Sequence, residues 1–177
     1  MRIIGLLLWA GAAMAAPAHS AVTATSDIGF ATQSSVEIAA EPGAVYALLA
    51  MPGRWWSDSH TYSGDSANMV LDPHAGGCFC EALPNPSGKP GSVEHGRVIY
   101  AVPDKQLRLS AALGPLQSEG VAGTLDVTIK PSGKGVRVTI TYVVGGYLRA
   151  GAATLAPLVD QVLNEQLQGL KRAAEAH

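Results

Sequence analysis

The sequence predicts an α+β domain in which helices lie against one face of a twisted antiparallel sheet. Apolar and polar residues alternate over residues 125–129 and 136–144, which is the pattern of half-buried antiparallel strands. The last part of the chain changes to apolar spacings of three and four residues, which indicates one long amphipathic helix. Strand segments are grouped together along the chain instead of alternating with helices, as is typical of α+β domains.

The first twenty residues have the composition of a secretory signal peptide. Arg2 precedes an apolar run over residues 3–9, and the small residues that follow offer cleavage after Ala15 or after Ser20. The apolar run is shorter than the ~20 residues that a membrane-spanning helix needs. We therefore predict a signal peptide over residues 1–20, export to the periplasm or the exterior, and no stable membrane insertion after cleavage.

The overall composition limits the classes of partner. Residues 21–33 are mostly Ala, Thr and Ser, so we predict a disordered lead-in there and a folded domain over residues 34–177. Loss of the signal peptide takes the formal net charge from −2 to −3, and the chain has no run of Lys or Arg. Nucleic acid and anionic membrane surfaces are therefore not expected as partners. Hydrophobic residues make up 47% of the chain, enough to build a core and to line an internal cavity.

The elements of the domain follow in a definite order. Val36 and Ile38 indicate a first strand, and Pro42 opens a short helix. A second short helical segment carries Trp55 and Trp56. Six consecutive strands follow, separated by turns rich in Gly and Pro, and centred on residues 69–71, 78–83, 94–102, 107–109, 125–129 and 136–144. The closing helix starts near residue 154 and continues to about residue 174.

Four segments of the chain carry a family resemblance. They are VEIAAEPGAVYALLAMPGRWW, LDPHAGGCFCE, EHGRVIYAVPDKQLRLS and LAPLVDQVLNEQLQGLKRAAE, which together span residues 36–175. In this order they resemble the START/polyketide-cyclase/birch-pollen-allergen (SRPBCC) superfamily, and within it the Aha-type chaperone-ATPase-activator-like branch. The resemblance implies the helix-grip fold, with the sheet wrapped around the C-terminal helix and a cavity for a small apolar molecule. It does not define the ligand, since members include lipid carriers, polyketide cyclases and chaperone regulators. The predicted export argues against a cytosolic chaperone partner.

The predicted cavity lies between the long helix and the concave face of the sheet. On the helix we expect it to be lined by Leu155, Leu158, Val159 and Val162, and on the sheet by Phe79, Tyr100, Leu125, Val127 and Tyr142. The two tyrosines are candidate polar anchors, because a buried hydroxyl needs a hydrogen-bond partner. Trp55 and Trp56 are adjacent and cannot point the same way. At least one is expected at the mouth of the cavity, and the alternative is that both cap the core.

Two further polar residues are candidates for the site. His60 follows the tryptophans in a polar loop and either borders the mouth or is solvated. Glu81 shares a strand face with Phe79. If that face is internal, its carboxylate orients a ligand or acts as a general base with a raised pKa, and if it is external, Glu81 is a solvated charge. His95 has the opposite phase to Val98 and is predicted on the outer face, unless a β-bulge intervenes.

The only two cysteines form a Cys78-x-Cys80 pair. On a regular strand such residues share a face with Cα atoms about 6.5–7 Å apart, at the upper limit for a disulfide. A metal site is an alternative, but two thiolates supply only two ligands and the usual spacing is absent. Two small buried thiols are the preferred interpretation. We predict no metal site and no cofactor.

The sequence thus predicts an exported domain that binds a small hydrophobic or amphipathic molecule. One alternative is an enzyme of the polyketide cyclase or dehydratase type that uses Glu81, His60 or a tyrosine. Another is a protein-binding module of the cell envelope, which predicts a large exposed apolar patch and a closed pocket. No catalytic residue is assigned, because no Ser or Cys has neighbours that indicate an activated nucleophile.

Overall fold

The structure of the protein is a computed structural model that describes residues 19–176. This part of the chain contains two α-helices, α1 (Pro42–Leu49) and α2 (Ala152–Glu175). Its eight strands are β1 (His19–Ser26), β2 (Gly29–Ile38), β3 (Met69–Leu71), β4 (Cys78–Leu83), β5 (Gly91–Val102), β6 (Gln106–Ala111), β7 (Gly120–Ser132) and β8 (Gly135–Tyr147). Short 3₁₀ turns occupy Pro52–Arg54, Asp58–His60, Ser66–Asn68 and Gly114–Ser118. The predicted signal peptide lies almost entirely outside the described residues.

The strands form one antiparallel sheet in the order β1-β2-β8-β7-β6-β5-β4-β3. Consecutive strands are neighbours throughout, except that the chain leaves β2, passes through α1 and the 3₁₀ turns, and enters the far edge of the sheet at β3. The chain then returns strand by strand to β8, beside β2. This arrangement confirms the predicted α+β class, and the six strands after the first helices lie where the alternating pattern placed them.

The predicted disordered lead-in over residues 21–33 is wrong, because most of β1 and the first half of β2 occupy it. β2 pairs with β8 along its whole length, and β1 pairs with β2, so their backbone groups are satisfied in the sheet. Phe30, Thr32 and Ser34 alternate inward and are buried. Small hydroxyl side chains fill this inner face, which is why the segment reads as polar and irregular in the sequence.

The helices cover one face of the sheet. Pro42 occupies the first turn of α1, whose buried side chains include Val45 and Leu49. The second predicted short helix is a single 3₁₀ turn, Pro52–Arg54, and the tryptophans follow it. α2 begins at Ala152, two residues before the predicted start near residue 154, and packs chiefly on β2 and β1. Within residues 19–176, neither helix has the length and apolar character that crossing a bilayer requires.

Candidate functional site

A cavity of about 450 Å³ opens between the first half of α2 and two segments of irregular chain. Such a volume is within the range of small-molecule sites. The α2 wall carries Leu155, Leu158, Val159, Val162 and Leu163. The opposite wall is built by Trp56, Ser59, His60, Thr61 and Tyr62 from one segment and by Leu113, Gly114, Pro115 and Leu116 from the other, and His95 of β5 also borders the space.

The helical wall of this cavity was predicted from the sequence. All four α2 residues expected to face a ligand border the cavity, together with Trp56 and His60. Leu158 is 57% exposed although it is a large apolar residue, because it stands at the open side of the cavity. This placement brings the helix residues and the mouth residues into one site.

The sheet residues predicted for the site do not line the cavity. Leu125 and Val127 are buried in the core on β7, and Phe79 lies below the cavity with its ring centroid 5.0 Å from that of His95. The first half of α2 and the irregular segments enclose the space instead. The physical reason is that α2 packs chiefly on β1 and β2, so its exposed first half meets loop residues and not the β7 face.

The assignment of Tyr100 to the cavity is wrong, since its side chain is 44% exposed on the outer face of the sheet. A register shift between β5 and β6 pairs Val98 with the buried Leu109 but Tyr100 with the outward-facing Arg108. The extra residue, Ile99, breaks the alternation that would have turned Tyr100 inward. Its ring lies 5.3 Å below the Arg108 guanidinium, a cation–π contact.

His95 was predicted on the outer face and is instead 4% exposed in the interior. A second bulge in β5 explains the difference, because Phe79 pairs with Gly96 while Cys80 pairs with Glu94. His95 is the unpaired extra residue between them, and both it and Gly96 are buried. The bulge therefore turns the imidazole toward the cavity.

Glu81 lies behind His95 on the neighbouring strand and is 1% exposed. Its Oε2 atom is 2.9 Å from His95 Nε2 and 3.1 Å from the backbone nitrogen of Tyr62, and its Oε1 atom accepts a hydrogen bond from the backbone nitrogen of Ser63. Of the two positions left open by the sequence, the internal one is observed. The carboxylate does not border the cavity, because His95 stands between them.

The surroundings of this pair determine its protonation. Burial disfavours the ionised form of Glu81, but hydrogen bonds from Ser63, Tyr62 and His95 outweigh it and hold its pKa below the ordinary value. Of the alternatives that the sequence left open for Glu81, a general base with a raised pKa is therefore not supported. Burial likewise lowers the pKa of His95, against the opposing hydrogen bond and charge of Glu81. At neutral pH the pair consists of a carboxylate and a neutral imidazole.

The segment from Trp55 to Tyr62, here called the mouth segment, is fixed to α2. Gln166 is fully buried and its Oε1 atom accepts a hydrogen bond of 2.8 Å from the Ser57 backbone nitrogen. His60 Nε2 lies 3.0 Å from Glu165 Oε2 at the cavity rim. Gly169 allows close approach, since a Cβ atom there would lie 2.3 Å from the Trp55 carbonyl oxygen. The mouth segment thus has a defined position although its one regular element is the short 3₁₀ turn Asp58–His60.

The two tryptophans have different positions: one borders the cavity and the other packs behind it. Trp56 borders the cavity, and its indole nitrogen donates to the His60 carbonyl oxygen at 3.0 Å. Trp55 packs behind it with ring centroids 5.4 Å apart, and its indole nitrogen donates to the Leu48 carbonyl oxygen at 2.9 Å. One aromatic residue therefore lines the site while the other joins it to α1.

Two tyrosines hold the wall segment 113–116 in place. The Tyr62 hydroxyl donates to the Gly114 carbonyl oxygen at 2.8 Å and connects the mouth segment to the facing 3₁₀ turn. The Tyr142 hydroxyl is buried, donates to Ala111 and accepts from the Leu113 backbone nitrogen at 3.2 Å. Burial raises the pKa of Tyr142 to about 12. Its hydroxyl is fully used by the backbone, so Tyr142 supports Leu113 and does not itself face the cavity.

The two cysteines form a disulfide on the side of β4 away from Phe79, and their side chains are half-buried. The interpretation as unpaired buried thiols is therefore wrong, and the disulfide alternative is observed. The Cα atoms of Cys78 and Cys80 lie 5.4 Å apart, within the usual disulfide range and closer than on a regular strand, and β4 faces the bulge of β5 at this point. Glu94 lies near them, with ligand atoms of the three residues within 4.8 Å of one another, but both sulfurs are already bonded.

Sequence reasoning missed His95, Tyr62 and the second irregular segment of the wall. His95 could have been found only by recognising the bulge, and the adjacent Gly96 is the one local indication of it, since a Cβ there would lie 2.8 Å from Ala111 Cβ. The segment 113–116 contains Gly114-Pro115, which predicts a loop but not its place over the cavity.

Comparison with known proteins identifies the fold. No protein-family model matches the sequence, and no curated protein matches it. A solved structure of a Rhodobacter sphaeroides protein is similar over 90% of this chain and 100% of that one, with 19% identity and a TM-score of 0.60. CalU16 from Micromonospora echinospora is similar over 91% of this chain and 88% of its own, with 12% identity and a TM-score of 0.58. The chain has the helix-grip fold.

One domain of a larger protein shows the same likeness. The di-domain ARO/CYC StfQ from the steffimycin biosynthetic pathway matches 84% of this chain with 12% identity and a TM-score of 0.59, and the match covers 51% of StfQ. At these identities the likeness to the helix-grip structures concerns the fold, and the function has to be argued from the site.

Proposed function

We propose that this protein binds a small hydrophobic or amphipathic molecule in the cavity between α2 and the mouth segment. The observation that carries the proposal is the cavity itself. Its α2 wall is composed entirely of Leu and Val side chains, and one of them, Leu158, is largely exposed. Burying such side chains against an apolar ligand is favourable by about 25 cal/mol per Å² of apolar surface removed from water.

The rim of the cavity supports an amphipathic ligand in particular. Ser59, His60, Thr61 and Tyr62 are polar residues that follow one another along the mouth segment and border the cavity opposite the apolar helix. A few polar groups on an otherwise apolar wall are the usual way in which a site orients a ligand. A molecule with one apolar body and one polar end fits this distribution.

The proposal is tested by measuring whether the purified protein carries or takes up an apolar molecule. We expect native mass spectrometry of the purified protein, or solvent extraction followed by mass analysis, to detect a bound apolar molecule or uptake of one from an added lipid mixture. The variant Val162→Phe fills part of the cavity and should weaken uptake by about tenfold or more. Val143→Phe is the matched control, because Val143 is 51% exposed on β8 and does not border the cavity. A protein that never carries an apolar molecule would refute the proposal.

We further propose that the protein is exported and that the signal peptide is cleaved after Ala15. The N-terminal composition supports export. Cleavage at the alternative position, after Ser20, would remove the first two residues of β1, including the Ser20 hydroxyl that donates to Asp160 Oδ2 at 2.6 Å. The intact mass of the protein recovered from the periplasm or the medium would distinguish the two positions.

The four segments that resemble the Aha-type branch support a place for the chain near that branch of the SRPBCC superfamily. We do not extend this to a chaperone partner, because export would separate the protein from cytosolic chaperones. The protein-binding alternative predicted a closed pocket, and the open cavity favours the small-molecule role over it.

A further inference from the structure

We propose that His95, positioned by Glu81, acts as a general base on a molecule bound in the cavity, so that the protein is an enzyme as well as a binding protein. The inference rests on the proposed binding function and adds a reaction to it. His95 is the member of the buried His95–Glu81 pair that borders the apolar cavity, and it is therefore the residue to which we assign the catalytic role.

The hydrogen bonds around the pair define the tautomer of His95. Glu81 accepts from two backbone N–H groups, and as a carboxylate it has no proton to give. The Nε2 atom of His95, 2.9 Å from Glu81 Oε2, must therefore carry the proton and donate it. In the neutral ring the lone pair then belongs to Nδ1.

The second ring nitrogen is free to act. Among residues 19–176, the hydrogen bonds of the His95 ring involve Nε2 alone, and the residue borders the cavity. A carboxylate that fixes the ring through one nitrogen while the other faces a substrate is the arrangement that orients a histidine base. Glu81 is thus a positioning residue, and its two backbone donors in turn hold it in place.

The other titratable groups near His95 do not replace it as the base. Tyr62 has its ring centroid 5.9 Å from that of His95, and its hydroxyl donates to Gly114. His60 on the mouth segment is also paired with a carboxylate, Glu165 of α2, but these two side chains are 29% and 43% exposed at the cavity rim, so water reaches that pair while the His95–Glu81 pair is buried. Glu81 on β4 is the only carboxylate hydrogen-bonded to His95 within the described residues. The neutral imidazole is therefore the available proton acceptor at the cavity wall.

The site favours a flat apolar substrate with a weakly acidic C–H bond. Trp56 and Tyr62 contribute aromatic rings to the wall, and aromatic faces stack on flat π systems. In the reaction, Nδ1 takes the proton from carbon and the electron pair of the C–H bond stays on the substrate, either in an enolate or in a bond formed as a leaving group departs. The imidazolium then returns the proton to product or water, so no oxidant or cofactor is needed.

Elimination of 5-nitrobenzisoxazole provides a direct test. A base removes its ring C–H proton, the N–O bond breaks, a nitrile forms and the oxygen leaves as a coloured phenolate. Binding is measured separately by calorimetry with 5-nitroindazole, an unreactive molecule of the same shape. We expect the protein to catalyse the elimination with saturation, and the rate to rise with pH as His95 loses its proton below the ordinary histidine pKa of 6.5.

Three variants make the test specific to the pair. His95→Gln should reduce the saturated rate by about 100-fold. Glu81→Gln should move the inflection of the pH–rate profile to lower pH, because the carboxylate that raises the His95 pKa has been removed. A merely structural role of Glu81 would not shift this inflection. His74→Gln is the matched control, since His74 is exposed in the turn between β3 and β4. Circular dichroism checks that each variant is folded.

The outcomes separate this inference from the binding function. Binding of 5-nitroindazole with an elimination rate that His95→Gln leaves unchanged would overturn the catalytic role and leave the binding function intact. Failure to bind 5-nitroindazole would overturn the substrate class. The binding function itself is refuted only if no apolar molecule is carried in the extraction experiment.

Discussion

The Nε2 atom of His95 and the Oε2 atom of Glu81 are 2.9 Å apart in the interior of the protein, on neighbouring strands β5 and β4. Both groups have pKa values below their ordinary ranges. For His95 the cause is burial, which disfavours the imidazolium. For Glu81 hydrogen bonds favour the carboxylate more than burial opposes it. The pair therefore links folding to pH as well as providing the proposed base.

We predict that the free energy of unfolding falls as the pH is lowered from about 6.5. Below this pH the unfolded chain protonates His95 more readily than the folded chain does, so acid favours unfolding until the folded pKa is passed. Glu81 adds a second loss below its ordinary pKa of 4.5, where the unfolded chain again binds the proton first. Urea denaturation at a series of pH values measures both.

The variant His95→Gln isolates the loss of unfolding free energy that is due to protonation of His95. It should reduce the slope of stability against pH just below 6.5, because glutamine does not titrate. An unchanged slope in His95→Gln would contradict the assignment.

Gly169→Ala should destabilise the protein although alanine is the better helix former. The substitution gains about 1 kcal/mol of helix propensity. The added methyl group, however, would lie 2.3 Å from the Trp55 carbonyl oxygen, so the mouth segment must move away from α2. We expect a lower melting temperature by calorimetry. Gly145→Ala is the control, because the nearest atom to its added methyl is 3.6 Å away, and a loss as large as that of Gly169→Ala would contradict this account.

Leu167→Ala and Leu158→Ala should have opposite consequences for stability and binding. Leu167 is fully buried in the core, and its truncation should cost about 2–5 kcal/mol of unfolding free energy. Leu158 stands at the open side of the cavity, so its truncation should cost little stability and weaken the uptake of an apolar ligand. Chemical denaturation and ligand extraction on the same two variants compare these effects, and equal losses of stability would exclude the proposed position of the cavity mouth.

Reduction of the Cys78–Cys80 disulfide should leave the protein folded. The bond closes a loop of only three residues, which restricts the unfolded chain by about 1.5 kcal/mol, compared with about 3 kcal/mol for a fifteen-residue loop. Urea denaturation with and without a phosphine reductant measures the difference, and the double variant C78S/C80S should reproduce it. Unfolding on reduction would show that the bond has a larger structural role.

The periodicity of the sequence was sufficient for most of the fold. Residues 125–129 and 136–144 alternate because one face of each strand meets the core, and α2 repeats every three to four residues because one stripe meets the sheet. These are local consequences of burial, so they are visible without knowing which segments pair. Leu155, Val159 and Val162 belong to the same apolar stripe of α2, so the sequence also predicted the α2 wall of the cavity.

The positions of His95 and Glu81, the polar part of the site, were decided only by the tertiary structure. His95 and Tyr100 each changed face because β5 contains two bulges, and a bulge is a property of pairing between two strands and not of either sequence alone. The strand β2 likewise depends on its pairing with β8, and β1 on its pairing with β2, more than on their own hydrophobicity. The sequence by itself therefore determined which residues are buried by regular periodicity, whereas one extra residue between paired strands decided that a histidine, held by a buried glutamate, meets the cavity.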